Sequence, residues 1–176
     1  VVYSSDTRGD GTFDLYRISA SGGEPELLFS NGQRNSHARY TPDGRSIVFT
    51  TGDAIDSRTW EIARLDLETG NVVLLTDNDV RDASPNLSPD GQTIVYVTDG
   101  DGRAGLASMP INGGAPTLVY DGPGYEWGAV YDPSGQLLLF NAEMNNVSTL
   151  YIMRADGSDL NALDNNQGGF YPTWIP

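Results

Sequence analysis

Tyr40-Thr41-Pro42-Asp43-Gly44-Arg45-Ser46-Ile47-Val48-Phe49-Thr50 is a turn followed at once by a strand. Proline presets the backbone for the turn, Asp and Gly complete it, and residues 46–50 are a β-branched and aromatic run of strand length. The same unit returns twice. Leu87-Ser88-Pro89-Asp90-Gly91 precedes residues 93–97, and Tyr131-Asp132-Pro133-Ser134-Gly135 precedes 137–141; Trp174-Ile175-Pro176 begins it again. The successive prolines are 47, 44 and 43 residues apart. A second anchor keeps the same beat: Leu15-Tyr16-Arg17-Ile18, Ile62-Ala63-Arg64-Leu65, Leu106-Ala107-Ser108-Met109 and Leu150-Tyr151-Ile152-Met153. Two anchors in step make the chain a tandem repeat.

Each repeat holds four short strands separated by turn chemistry. The opening residues 1–5 are the post-turn strand with its turn missing, and the second anchor is the next strand. A glycine-bearing turn follows it (Ser21-Gly22-Gly23, Glu68-Thr69-Gly70, Asn112-Gly113-Gly114 or Asp156-Gly157-Ser158), since glycine supplies the positive φ of tight hairpins. The last strand covers residues 26–29, 72–75, 117–120 and 161–163. No window sustains a helical apolar period. The fold expected is an all-β propeller of four-stranded antiparallel blades, four in this chain, rather than a hairpin solenoid or a β-sandwich. It forms one domain, 1–176, with repeats at about 1–41, 42–88, 89–132 and 133–176. A first strand over 171–175 could pair with residues 1–5 to close a four-bladed ring, or the chain could be part of a larger propeller.

The composition narrows the partners. The 176 residues carry 24 acids against 10 bases, a formal net charge of −14, and every base is arginine. Such a charge repels phosphate backbones and anionic lipid, so neither nucleic acid nor a membrane is an expected partner. No apolar run approaches the ~20 residues of a membrane span. Cysteine is absent, which removes disulfides and zinc–thiolate sites.

The turn Ser88-Pro89-Asp90-Gly91, the strand Asp14-Leu15-Tyr16 and the segment Pro172-Thr173-Trp174 resemble the TolB-like propeller repeat, and the resemblance covers essentially the whole chain. Tyr131-Asp132-Pro133-Ser134-Gly135 lacks the usual Asp, and Leu87 stands where Trp is expected. The resemblance implies a propeller of an exported protein, periplasmic or extracellular. Similar repeats also form the gating propellers of prolyl-oligopeptidase-like and tricorn-like peptidases.

In propellers the first strand of a blade lines the channel, and the loops before it and between the second and third strands share a face. Thirteen acids and five bases of this chain fall in those loops. Asn35, Asp82, Glu126 and Gly169 hold equivalent positions just before the inner strand, where they either read a ligand at the channel mouth or brace neighbouring blades. His37 is the only histidine, beside Ser36; with no Gly-x-Ser-x-Gly elbow, no catalytic group is expected. Trp60, Tyr125 and Trp127 sit in or beside the acidic loops, as contact anchors or packed between blades. Asp6, Asp10, Asp99 and Asp101 lie in Gly-rich loops that either hold calcium or form plain turns. Asn146 and Asn86 begin Asn-x-Ser glycosylation patterns, Asn146 in a loop and Asn86 in a strand. The function expected is non-catalytic binding or scaffolding through the acidic face, with a protein or a cation as partner. Self-association through blade edges in an extracellular assembly, or a gating role beside an absent peptidase domain, are the alternatives.

Overall fold

The computed structural model describes residues 1–100, 104–163 and 172–174. Among the described residues fifteen strands run in order: β1 (Val2–Ser5), β2 (Asp14–Arg17), β3 (Glu26–Phe29), β4 (Arg34–Tyr40), β5 (Ser46–Gly52), β6 (Glu61–Asp66), β7 (Val72–Leu74) and β8 (Asp82–Leu87). Then come β9 (Thr93–Thr98), β10 (Gly105–Pro110), β11 (Thr117–Tyr120), β12 (Tyr125–Tyr131), β13 (Leu137–Met144), β14 (Val147–Arg154) and β15 (Asn161–Ala162). They form one three-stranded sheet, β1-β2-β3, and three four-stranded sheets in simple sequence order: β4 to β7, β8 to β11 and β12 to β15. Each sheet is an antiparallel meander and one propeller blade. Of the strand expected over 171–175, only 172–174 lie among the described residues, and these carry no strand.

The chain divides into two compact units, Val1–Pro85 and Asn86–Pro176, with the boundary inside β8. In the first, Leu15, Ala38, Ile47, Phe49, Ala63 and Leu65 form a buried cluster. In the second, Val95, Leu106, Leu138, Phe140 and Met153 belong to the corresponding cluster, against which Tyr120, Trp127 and Tyr151 pack. The most buried positions are the post-turn strands, whose runs (Ile47-Val48-Phe49, Ile94-Val95-Tyr96, Leu138-Leu139-Phe140) are covered on both faces.

The Pro-Asp-Gly turn explains itself at atomic level. Thr41 Oγ1 donates to Asp43 Oδ1 at 2.6 Å and Ser88 Oγ to Asp90 Oδ1 at 2.6 Å. In each, the hydroxyl accepts the amide that opens the next strand, Ser46 or Thr93. The departure at Asp132-Pro133-Ser134 is an exchange of the two side chains. Ser134 Oγ donates to Asp132 Oδ2 at 2.6 Å, and Asp132 Oδ1 takes the Leu137 amide in the hydroxyl's place. The Thr41 hydroxyl and the Arg45 amide hold the Asp43 carboxyl below its usual range, and the Ser88 hydroxyl and Gln92 amide do the same for Asp90. Burial pushes Asp132 upward, yet its hydrogen bonds from Ser134, Leu137 and Gln136 outweigh that and lower it too.

Candidate functional site

The inner strands begin slightly earlier than the sequence suggests, so Asn35, Asp82 and Glu126 lie inside β4, β8 and β12 rather than just before them. All three are buried, at 0%, 1% and 1% exposure. Gly169 lies outside the described residues. Asn35 is hydrogen-bonded to the preceding blade. Its Nδ2 donates to Phe13 O (2.8 Å) and Asn31 Oδ1 (2.9 Å), and its Oδ1 accepts from Thr51 Oγ1 (2.8 Å). Its amide also donates to Phe13 O, just as the Asp82 amide donates to Trp60 O. Asp82 Oδ2 accepts from Asn78 Nδ2 at 2.8 Å, four residues back, where Asn35 instead donates to Asn31. The contact is kept with its polarity reversed.

Two residues further along each strand the backbone turns left-handed, at His37 (φ 54), Ser84 (φ 56) and Gly128 (φ 67). In β4 and β12 the register slips at this point, the mark of a β-bulge. His37 is thereby turned out of the ladder. His37 is exposed at the surface, yet partial desolvation of its ring, with the charges of Arg39, Arg34 and Arg81, holds its pKa below the usual value. Its Nδ1 meets the neighbouring Ser36 hydroxyl at 3.1 Å.

The aromatic candidates separate. Trp60 is half-buried directly before β6, with its Nε1 donating to Asp53 O, and the Arg34 guanidinium lies 4.5 Å from the Phe13 ring centre and 5.5 Å from that of Trp60. Trp127 lies within β12 and packs on the core, whereas Tyr125 is 55% exposed. Asn146 is exposed at the tip of the β13–β14 hairpin in a two-residue turn with Asn145, both at positive φ; Asn86 is half-buried in β8.

The two Gly-rich loops differ in what can be described. Asp6 caps its own loop: Oδ1 takes the amides of Gly9 and Asp10, and Oδ2 that of Gly11. Asp10 takes both the amide and the hydroxyl of Thr12 and lies 3.4 Å from Arg8. These bonds are those of a turn. Asp99 is half-buried and Asp101 lies outside the described residues. Among the described residues no three His, Cys, Asp or Glu side chains are grouped to hold a metal ion.

The most chemically distinctive side chain was not among those the sequence suggested. Glu61, the first residue of β6, is 7% exposed and lines a cleft of about 480 Å³. Its Oε1 accepts the Asn78 amide at 3.0 Å, and its Oε2 is buried with no hydrogen-bond partner among the described residues. Burial raises its pKa, the Asn78 amide and Thr76 hydroxyl work against that, and the charges of Asp82 and Asp77 add to the rise. The signal for it lay in the repeat: Asp14 and Glu61 each stand one residue before an anchor, and both pair near the end of the preceding strand, with Ser5, the last residue of β1, and Thr51, the last but one of β5.

A group that takes up a proton more readily when folded costs stability as pH rises from its ordinary 4.5 through its raised folded value, and the cost is complete only above that value. Glu61→Gln keeps the acceptor for Asn78 and places a donor where the orphaned oxygen lay. The expected result is a gain of about 1 kcal/mol at pH 7, roughly 2–4 °C in Tm. The gain should shrink toward pH 4.5, where the wild-type carboxyl holds its proton. Melting curves at the two pH values check it; an unchanged or lowered Tm at pH 7 would refute the cost assigned to Glu61.

These features, meandering four-stranded blades with buried polar braces and loop-borne acids, define a β-propeller-type protein. The family model of the TolB β-propeller domain matches residues 1–124, and the chain belongs to that family. Comparison with curated protein sequences finds no match. Among solved structures, a TolB-like protein of Agrobacterium tumefaciens superposes with a TM-score of 0.81 at 22% identity, over 93% of this chain and 61% of that one. TolB of Acinetobacter baumannii gives 0.73 at 20%, over 92% and 40%. A chain of the nidogen/laminin complex gives 0.74 at 14%, over 96% and 62%. This chain therefore spans less than two thirds of each. The fold also occurs in prolyl endopeptidases and oligogalacturonate lyases. Among the described residues no helix is long and apolar enough to cross a membrane.

Proposed function

We propose that this chain is a non-catalytic binding and scaffolding propeller of an exported protein, periplasmic in the manner of the TolB proteins it resembles, which meets a basic protein partner with its acidic loops. The observation that carries the reading is the cleft beside Glu61. There Asp77 and Asp79 stand exposed, while the one arginine of the lining, Arg58, is already held by Asp56 at 2.7 Å. Loops on a rigid blade are a common seat of binding. The presence of a similar fold in the nidogen/laminin complex supports a protein as partner.

A pair of charge reversals with equal net charge tests it. Peptides selected from a displayed random library on the wild-type chain should be enriched in Arg and Lys. Asp77→Lys/Asp79→Lys should weaken their binding at least about tenfold, since like charges now face each other. Glu24→Lys/Glu68→Lys, in the glycine-bearing turns, should change it less than twofold beyond screening. Selection of no basic sequence, or an equal loss in both variants, would overturn the acidic loop face as the binding surface.

A further inference from the structure

We propose that the cleft beside Glu61 is a guanidinium site, which takes the arginine side chain of a partner peptide. The inference rests on the acidic-face reading and names the chemistry of its contact. Its warrant is a comparison of two blades at one repeat position.

Asp14 opens β2 as Glu61 opens β6. Both precede the same anchor, and both are buried, at 3% and 7% exposure. In the first blade the position is filled from within. Arg8, from the loop between β1 and β2, lays its fork on Asp14, Nη1 to Oδ2 at 2.8 Å and Nη2 to Oδ1 at 3.1 Å. The fold thus shows a guanidinium seated on a carboxylate at this place, in the two-bond geometry that favours arginine over lysine. The second blade carries an arginine in the corresponding loop as well, but Arg58 turns outward. Its Nε and Nη2 bond Asp56 at 3.0 and 2.7 Å, and its side chain is 82% exposed.

The second blade therefore keeps the carboxylate and the space, while its own arginine is engaged elsewhere. Glu61 Oε2 is the buried acceptor without a partner, and Asp77 and Asp79 supply further negative charge at the same cleft. A buried carboxylate oxygen in that state favours an incoming donor. A metal ion would need several close oxygen ligands, and among the described residues no three acids converge. A planar cation that carries its own donors needs one carboxylate and neighbouring oxygens. The cleft volume of about 480 Å³ leaves room for one long side chain.

The probes are Ac-Gly-Arg-Gly-NH2 and its citrulline analogue, which has nearly the same shape without the charge, titrated into the isotopically labelled chain by NMR. The arginine peptide should saturate and shift the amides of Thr51, Gly52 and Asn78. The citrulline peptide and Glu61→Gln should each weaken binding about tenfold or more, the loss of a charge-assisted pair. Glu61→Gln must melt no lower than the wild type for its result to count; otherwise Asp77→Asn/Asp79→Asn takes its place, with an expected loss of about threefold or more. No saturable shift at these amides, equal binding of the citrulline peptide, or displacement of the arginine peptide by millimolar calcium alone would overturn the site. If library-selected basic peptides still depend on Asp77 and Asp79 while Glu61→Gln is silent, this pocket fails and the acidic-face reading stands. If no basic peptide binds at all, both fail.

Discussion

Gly157→Ala is expected to destabilise the protein by about 2–5 kcal/mol, through left-handed strain of ~1–2 and overpacking of ~1–3. Gly157 sits in the turn after β14 at φ 90, and a Cβ there would meet the carbonyl oxygen of Val119, in β11, at 2.2 Å. Neither side can yield easily. The turn is tied by Gly157 N to Arg154 O (2.9 Å), Arg154 N to Ser158 O (2.8 Å) and the Ser158 bonds to Asp156, while Val119 belongs to a paired strand. The matching turn of the second blade gives the control. Gly70 has φ 73 but nothing within 4 Å of its Cβ position, so Gly70→Ala should cost only the strain, about 1 kcal/mol. Urea unfolding of the two variants separates conformational strain from the close approach. Equal effects would mean that the two blade edges do not pack as described.

That contrast also marks where sequence reading stops. The need for positive φ at Gly70 and Gly157 is legible, because a tight hairpin demands it wherever it stands. The carbonyl against Gly157 comes from a strand nearly forty positions away, and no local pattern announces it. The same division runs through the candidate site. Asn35, Asp82 and Glu126 were found by laying the repeats over one another, since equivalent positions in tandem blades occupy equivalent places. Their partners were hidden, because the partner of Asn35 is a backbone carbonyl of the preceding blade. The exchange at Asp132 and Ser134 looked like a lost acid; only the hydrogen bonds show that donor and acceptor changed places. Of the three left-handed residues, Gly128 alone is of a type that adopts the conformation without strain, so His37 and Ser84 gave no sign. Glu61 escaped notice because a glutamate opening a strand after Trp60 reads as an ordinary solvated charge. Its burial follows from the loop of residues 75–81 folding back over it, which strand patterning does not specify.

Asn35→Ala is expected to cost about 2–3 kcal/mol, the loss of three short side-chain hydrogen bonds at roughly 1 kcal/mol each, with a fourth, long one to Gln33 O (3.4 Å) adding little. Each partner keeps a second bond. Phe13 O retains the Asn35 amide, Asn31 Oδ1 the Gln33 amide, and Thr51 Oγ1 the Gln33 carboxamide. No acceptor or donor is therefore stranded, and the cost stays below that of a buried unpaired group. In melting temperature this amounts to roughly 4–12 °C for a chain of this size. The substitution decides between the two readings of the inner-strand position. As a brace, Asn35 should affect stability and leave basic-peptide binding unchanged well below the transition. As a ligand contact, its loss should weaken binding while the melting temperature holds. Its side-chain bonds all run to protein groups and the residue itself is fully buried, so the first outcome is expected. That outcome would also explain why Asp82, at the same place in the next blade, is likewise tied to an asparagine four residues back: blade-to-blade bracing needs a polar link there, and either amide or carboxylate can supply it once the partner side chain turns over.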